Sequence, residues 1–312
     1  MRFFKHKILK WSNLFLIGST TLFLALVYFN YPLFLDKIYE EVGYFHAHLD
    51  KKQIDTPHYQ FSYVERGKGK TILLVHGFRS DKNYWLDYIR KMGKGYHYIA
   101  LDLPWHGETL SKEKVKFSVK NVAAALDEFV QAKKIDKCYI VGSSLGAGFV
   151  LEYSRNHLDT VQKVVLVNPF ALKPSTPAKV RAMLEKNKKL FSPATLEQLD
   201  YLLICLRGAT LQCPDHLKYY LLEKLKSKNG MVAKMMEDIA HSEGMEQHLP
   251  QITMPVLILQ GEKDCVVYSG DKLIYQELLP NLDYVDIKEG YHIFSKKSLK
   301  TATLEMKRFL AK

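Results

Sequence analysis

Short apolar runs that alternate with helix-like segments most strongly constrain the fold of this 312-residue chain. Several runs are almost continuously apolar or β-branched, a composition typical of strands that are covered by helices on both faces. The segments between them, such as residues 119–133, have the apolar spacing of amphipathic helices. The pattern predicts an α/β fold with a mostly parallel sheet flanked by helices. The predicted strands are residues 59–64, 71–75, 96–101, 138–141, 163–167, 255–259 and 284–287.

A long segment without predicted strands interrupts this alternation after residue 168. Leu199, Leu202 and Leu206 recur at helical spacing within it. We therefore predict a helical cap at about residues 171–250, inserted into one domain that covers residues 58–312.

Methionine is concentrated in the predicted cap, which holds five of the nine methionines of the chain. The flexible, polarisable thioether suits an adaptable apolar pocket. Met231, Met235 and Met236 are therefore predicted to line a substrate pocket. Ordinary packing of a helical cap explains the same residues equally well.

The N-terminal region contains no charged residue from residue 11 to residue 35, a stretch of 25 residues. About 20 apolar residues cross a hydrocarbon core, so this stretch is predicted to be a transmembrane anchor. A basic tail at residues 1–10 precedes it and a linker or short helix at residues 36–57 follows it. The positive-inside rule then predicts a cytoplasmic N-terminus and a folded domain on the trans, periplasmic or extracytoplasmic side. A cleaved signal peptide and a buried helix of the soluble domain are the alternatives.

The net charge of +12 also bears on the partners of the protein. The lysines are scattered and no nucleic-acid-binding signature accompanies them, so a membrane surface is favoured over nucleic acid. The four cysteines include no Cys-x-x-Cys pair, and no structural zinc site is expected. Cys205 and Cys213 are able to pair in an oxidising compartment, but buried free thiols are favoured.

The predicted strand at residues 138–141 leads directly into Gly142-Ser143-Ser144-Leu145-Gly146 and then into a helical pattern. This strand, G-x-S-x-G, helix sequence places the central Ser144 at a strained turn with its hydroxyl exposed. The flanking glycines remove Cβ atoms that would clash at such a turn. Ser144 is therefore the predicted nucleophile.

A serine hydroxyl needs a base to remove its proton and an acid to orient that base. Asp264 follows the predicted strand at residues 255–259, and His292 follows the one at residues 284–287. Catalytic loops gather at the carboxyl ends of parallel strands, so we predict His292 as the base and Asp264 as the acid. Glu262, in the same loop as Asp264, is the alternative acid.

Two backbone N–H groups are predicted to stabilise a developing oxyanion. The N–H of Leu145 lies at the start of the helix after Ser144, and that of Phe78 follows His76-Gly77 in the loop after residues 71–75. His76 is expected to fix this loop by hydrogen bonding and not to transfer protons.

Taken together, these residues resemble those of the α/β-hydrolase superfamily, from about residue 59 to the C-terminus. That superfamily has its nucleophile, acid and base in the chain order of Ser144, Asp264 and His292. The segment DLPWHG at residues 102–107 is similar to the family's D-x-P-G-x-G loop, although Trp105 replaces the usual glycine. The predicted anchor and the HGF stretch most resemble the membrane-anchored monoacylglycerol lipase and lysophospholipase branch.

The resemblance implies a serine hydrolase that cleaves carboxylic esters of lipids through an acyl-serine intermediate, without a metal or organic cofactor. Monoacylglycerols and lysophospholipids are the implied substrates. A small-metabolite esterase or a carbon–carbon bond hydrolase is the alternative, because these enzymes share the same triad. A membrane-tethered binding protein that keeps the fold without turnover is the alternative from another class. The sequence predicts no oligomeric state.

Overall fold

The computed structural model describes residue 38 and residues 40–173, 190–267 and 271–312. The chain divides into two compact units, residues 1–43 and 44–312. The predicted basic tail and the predicted anchor at residues 11–35 lie outside the described residues. None of the helices in the described part of the chain is long and apolar enough to cross a membrane.

One sheet forms the centre of the second unit. The strands of the described residues are β1 Asp50–Asp55, β2 Tyr59–Arg66, β3 Lys70–Val75, β4 Tyr96–Leu101, β5 Leu110–Ser111, β6 Cys138–Ser143, β7 Val161–Val167, β8 Val256–Gly261 and β9 Leu282–Ile287. The strand order is β1-β2-β4-β3-β6-β7-β8-β9, with β5 paired to β2. Along this order every pair from β4 to β9 is parallel, whereas β2 is antiparallel to both β1 and β4. The mostly parallel sheet predicted from the sequence is therefore confirmed.

Helices cover both faces of the sheet and enclose two apolar cores. On β3, Leu73 and Val75 contribute to one core while Ile72 and Leu74 contribute to the other. Side chains alternate between the faces of a strand, so a strand with two covered faces is apolar at nearly every position. The helices with defined bounds are α1 Leu86–Met92, α2 Val119–Ala132, α3 Gly146–Asn156, α4 Leu196–Arg207, α5 Asp215–Lys226, α6 Asn229–Ala240, α7 Asp271–Leu278 and α8 Lys296–Ala311.

Strand β1 lies where the sequence predicts part of a linker, at residues 36–57. It pairs with β2 over its whole length, from Asp50 opposite Glu65 to Asp55 opposite Gln60. Most of its side chains are exposed, and its sequence DKKQID has no apolar face. An edge strand of this kind is stabilised by backbone pairing, which hydrophobic periodicity does not reveal.

The described residues of the predicted cap, 171–173 and 190–250, contain helices α4, α5 and α6 and no strand. A disulfide joins Cys205 of α4 to Cys265, in the loop after β8. The sequence left two alternatives, a Cys205–Cys213 disulfide or free thiols. Neither is right for Cys205, which pairs with Cys265, whereas Cys213 is free. The partners are 60 residues apart in sequence, and only the tertiary fold brings them together.

Candidate active site

The nucleophile candidate lies on a tight turn between β6 and α3. Ser144 has a φ of 52°, a left-handed conformation that is rare for residues other than glycine. A Cβ on Gly142 would lie 2.6 Å from Gly146 O, and a Cβ on Gly146 would lie 2.4 Å from His76 O. Both glycines are therefore required by close backbone contacts. The turn holds Ser144 between the end of β6 and the loop after β3.

The loop after β3 packs directly against Ser144. A Cβ on Gly77 would lie 2.8 Å from the Ser144 Cβ, so glycine permits this approach. Within the described part of the chain, the N–H groups of Phe78 and Leu145 donate no hydrogen bond to a protein acceptor. Both predicted oxyanion donors thus lie beside the serine and remain available to a ligand.

The acid and base candidates are brought together from the loops after β8 and β9. His292 Nδ1 lies 2.8 Å from Asp264 Oδ2, and the two side chains are 8% and 1% exposed. Asp264 Oδ1 also accepts hydrogen bonds from the N–H groups of Val266 and Val267, at 2.8 and 3.1 Å. These bonds fix the carboxylate, which in turn orients the imidazole with Nδ1–H toward Asp264. The rival acid Glu262 instead accepts a 3.4 Å hydrogen bond from the Glu289 N–H.

Ser144 and His292 line the same cavity, which has a volume of about 160 Å³. Much of its wall is apolar and comes from the loop after β3, the cap and the loop after β9 that carries His292, called the base loop below. These apolar residues are Phe78, Phe191, Leu202, Leu206, Leu225 and Ile293.

The three methionines predicted to line a substrate pocket lie elsewhere. Met231 is exposed, Met235 belongs to the core that also contains Leu73 and Val75, and Met236 packs into a cap cluster with Leu190 and Cys205. None of them lines the described cavity. Helical periodicity identifies the buried face of α6, but it does not say which neighbour that face contacts. The leucines of α4 and α5 form the wall instead.

Asn168 is a site residue that sequence reasoning missed. It is buried at the end of β7 with a φ of 47°. Its Nδ2 donates to the carbonyl oxygens of Tyr291 and His292, at 3.1 and 2.8 Å, and its Oδ1 accepts the Gly261 N–H at 2.7 Å. One amide side chain thus holds both the base loop and the strand before Asp264. The available signal was a polar residue, in Asn-Pro, at the carboxyl end of a buried strand.

Two buried histidines organise the neighbouring loops and carry no charge at neutral pH. His76 Nδ1 bonds the Gly77 carbonyl at 2.8 Å, and its Nε2 accepts the Leu103 N–H at 3.0 Å. Burial lowers the pKa of His76, and burial also lowers the pKa of His106 to about 3. His76 therefore links the loop after β3 to the loop after β4, and both of its ring nitrogens are used in these structural contacts.

Trp105, which occupies a usual glycine position of the D-x-P-G-x-G loop, has a φ of 67°. The loop thus keeps a left-handed conformation without glycine there. The Trp105 ring packs edge-on against Phe117 at 5.3 Å, a contact that holds the side chain in place.

In the described ranges no group of three or more His, Cys, Asp or Glu side chains is arranged to hold a metal ion.

The fold, with its strand–turn–helix around Ser144, defines the protein as an α/β-hydrolase. The chain belongs to the hydrolase family described as serine aminopeptidase, S33, whose model matches residues 68–295. This match and the relatives described below identify it as a lipase- or esterase-type hydrolase and confirm its resemblance to the monoacylglycerol lipase branch.

Two curated relatives and one solved structure illustrate this similarity. The monoacylglycerol lipase ABHD6 of Homo sapiens is 23% identical over 314 residues, covering 94% of this chain and 93% of that protein. Lipase 1 of Psychrobacter immobilis is 24% identical and covers 74% of both chains. A membrane phospholipase A, described as a bacterial virulence factor, shares the fold with a TM-score of 0.82 and 24% identity over 95% of this chain and 97% of that one.

Proposed function

We propose that this protein hydrolyses carboxylic esters of lipids, monoacylglycerols or lysophospholipids, through an acyl intermediate on Ser144. The observation that carries the proposal is a single cavity lined by Ser144 and His292, with His292 bonded to the buried Asp264. The relatives described as a monoacylglycerol lipase and as a lipase support the substrate class.

In the proposed mechanism His292 Nε2 removes the Ser144 proton as the oxygen attacks the ester carbonyl. Asp264 keeps the proton on Nδ1 and stabilises the imidazolium that forms. The N–H groups of Phe78 and Leu145 donate to the oxyanion of the tetrahedral intermediate. The imidazolium then protonates the leaving alcohol, and water, activated by the same imidazole, hydrolyses the acyl-serine.

The character of the cavity favours an ester over the N-terminus of a peptide, although the family description names an aminopeptidase. An aminopeptidase needs an anionic group to bind the substrate ammonium. The described lining contains no acidic residue and does contain Arg79, which repels a cation. Its apolar wall instead suits the first part of an acyl chain.

We also propose that residues 11–35 anchor the protein in a membrane, with the N-terminus cytoplasmic and the hydrolase domain on the trans side. The charge-free stretch and the basic residues before it support this placement. The Cys205–Cys265 disulfide is consistent with it, because such bonds persist in oxidising compartments. Protease added to the trans side of sealed vesicles should therefore digest the domain, and protection from it would overturn this topology.

The experiment that tests the catalytic proposal combines a serine-directed probe with a substrate series. Ser144→Ala should abolish both fluorophosphonate labelling and turnover, because Ser144 alone occupies the central, left-handed position of the G-x-S-x-G turn. Ser143→Ala is the matched control: the Ser143 hydroxyl donates to the Tyr84 hydroxyl at 3.0 Å, so labelling should persist.

In wild type, each buried methylene should favour binding by up to about 0.8 kcal/mol, so catalytic efficiency should rise with acyl length. Fluorophosphonate labelling of the Ser144→Ala variant would show that Ser144 is not the nucleophile. Folded wild-type protein that turns over no ester would favour the binding-protein alternative. Efficiency that peaks at acetyl esters would favour a small-metabolite esterase, and cleavage of a carbon–carbon bond in preference to esters would favour that alternative class.

A further inference from the structure

Arg79 places a cation inside the cavity that contains the candidate nucleophile. It follows Phe78, one of the proposed oxyanion donors, and lines the same cavity as Ser144 and His292. It has a φ of 57°, a costly backbone conformation for a long side chain. Backbone strain of this kind persists only where surrounding contacts hold the residue in place.

The protein partners of Arg79 are neutral. Its Nη1 donates to the Phe191 carbonyl and, at 3.3 Å, to Asn229 Oδ1, while Nη2 donates to the Leu225 carbonyl at 2.7 Å. Across the described residues no carboxylate forms an ion pair with it. A guanidinium has five N–H donors, so two remain for a ligand.

The environment of Arg79 makes an anionic ligand favourable. Burial lowers the pKa of Arg79, yet a guanidinium remains charged at neutral pH. A partly buried charge without a counter-charge is costly, and an anion that enters the cavity offsets this cost. A phosphate oxygen is a good acceptor for a guanidinium because their geometries match.

We propose that Arg79 selects substrates whose head group carries a phosphate, so that lysophospholipids are preferred over uncharged monoacylglycerols. This inference rests on the proposed lipid-ester hydrolase function and narrows its substrate class. The phosphate of a lysophospholipid belongs to the alcohol part of the ester. It therefore leaves with the alcohol when Ser144 becomes acylated, and it does not hinder the hydrolysis of the acyl-serine.

A structural role for Arg79 predicts a different result. Leu225 lies in the last turn of α5, where a cation interacts favourably with the helix dipole. If Arg79 only joined the loop after β3 to the cap, its loss would reduce turnover of charged and uncharged substrates by the same factor. The ratio of catalytic efficiencies for charged and uncharged substrates therefore distinguishes a role of Arg79 in substrate selection from a purely structural role.

The test uses full-length protein in micelles of one neutral detergent. The substrates are oleoyl lysophosphatidic acid and monooleoylglycerol, which share an acyl chain and a glycerol and differ in the phosphate. Arg79→Gln should lower the ratio of their kcat/KM values, charged over uncharged, by about 10-fold to 100-fold, as expected for loss of a hydrogen bond to a charged group. Arg79→Lys should restore part of the ratio.

Arg90→Gln is the matched control, because Arg90 is an exposed arginine of α1 that pairs with Asp87. It removes the same charge without touching the cavity, and the ratio should stay at the wild-type value. An unchanged ratio in Arg79→Gln would overturn the proposal and leave Arg79 as a cap contact. If Arg79→Gln left the ratio unchanged but weakened inhibition by oleate, the proposal would also be overturned, and Arg79 would instead bind the carboxylate of the fatty-acid product. Wild-type protein that cleaves neither substrate would instead reject the proposed function.

Discussion

The carboxyl edge of the sheet and the helical cap meet at one cavity, but they are built under different constraints. At the sheet edge, the backbone atoms of neighbouring loops are in contact. A Cβ on Gly146 would lie 2.4 Å from His76 O, whereas a Cβ on Gly230 of α6 in the cap would meet nothing within 4 Å. The cap also exposes apolar side chains such as Tyr201 and Tyr219.

This difference separates the chemistry from the selection of substrate. The groups proposed to react, Ser144, Asp264 and His292, come from loops at the sheet edge. Much of the cavity wall comes from cap residues such as Leu202 and Leu225. We infer that substitutions in the cap change which substrate is used, while substitutions at the sheet edge change whether any substrate is cleaved.

The difference between the sheet edge and the cap is tested most directly by two identical substitutions, Gly146→Ala and Gly230→Ala. Gly146→Ala forces backbone atoms apart and should lower the free energy of unfolding by about 3 kcal/mol. It should also lower kcat/KM by about 100-fold, because the Ser144 turn shifts. Gly230→Ala removes a flexible residue from a helix and should raise stability by about 0.5–1 kcal/mol without loss of activity. Denaturant unfolding and ester hydrolysis measure both effects. A Gly146→Ala variant with wild-type stability and activity would refute the proposed difference between the sheet edge and the cap.

A smaller effect is expected from Asn168→Asp. The variant keeps an acceptor for the Gly261 N–H, but it places a carboxylate oxygen against the carbonyls of Tyr291 and His292. The base loop should shift, and kcat should fall by roughly 10-fold with KM little changed. The rate of fluorophosphonate labelling reports the same loss without a lipid substrate.

The matched control is Asn156→Asp, because the exposed Asn156 also donates to a carbonyl, that of Glu152 at 3.0 Å. It should leave the labelling rate unchanged. Equal labelling rates in Asn168→Asp and wild type would show that the base loop is positioned without this amide.

The two regions also differ in how well sequence alone predicts them. Strands β6 and β8 are nearly continuous apolar runs that lead directly to Ser144 and to the loop of Asp264, and His292 follows the shorter run at residues 284–287. Parallel strands bring their following loops to one edge, so all three residues are identifiable as candidates from sequence. The charged edge strand β1 has no such pattern, and it was missed.

Residues of the cap and its contacts were harder to predict because tertiary contacts decide them. Helical spacing identified apolar positions on α6, but it does not specify which elements Met235 and Met236 contact. The Cys205–Cys265 pairing and the contacts of Arg79 to Phe191 and Leu225 join segments that are distant in sequence. No local pattern encodes such pairs.

The smallest effect on activity is expected from the disulfide that joins the two regions. Replacing both Cys205 and Cys265 by serine should lower the free energy of unfolding by about 2–4 kcal/mol, because the bond closes a long loop in the unfolded chain. Cys213→Ser, which removes a free thiol, is the control and should have little effect. Denaturant unfolding measures both variants. A thiol assay in denaturant should detect Cys138 and Cys213 before reduction and all four cysteines after it.

Activity in the double variant decides how independent the regions are. Cys265 directly follows Asp264, but the Asp264 carboxylate is held by His292 and by the N–H groups of Val266 and Val267, contacts that do not involve the bond. The folded variant should therefore keep kcat within a few-fold of wild type. A fall near that of Gly146→Ala would mean that α4 positions the acid through the disulfide, and cap and sheet edge would then be one catalytic unit. Detection of four reactive thiols before reduction would instead show that no disulfide joins Cys205 to Cys265.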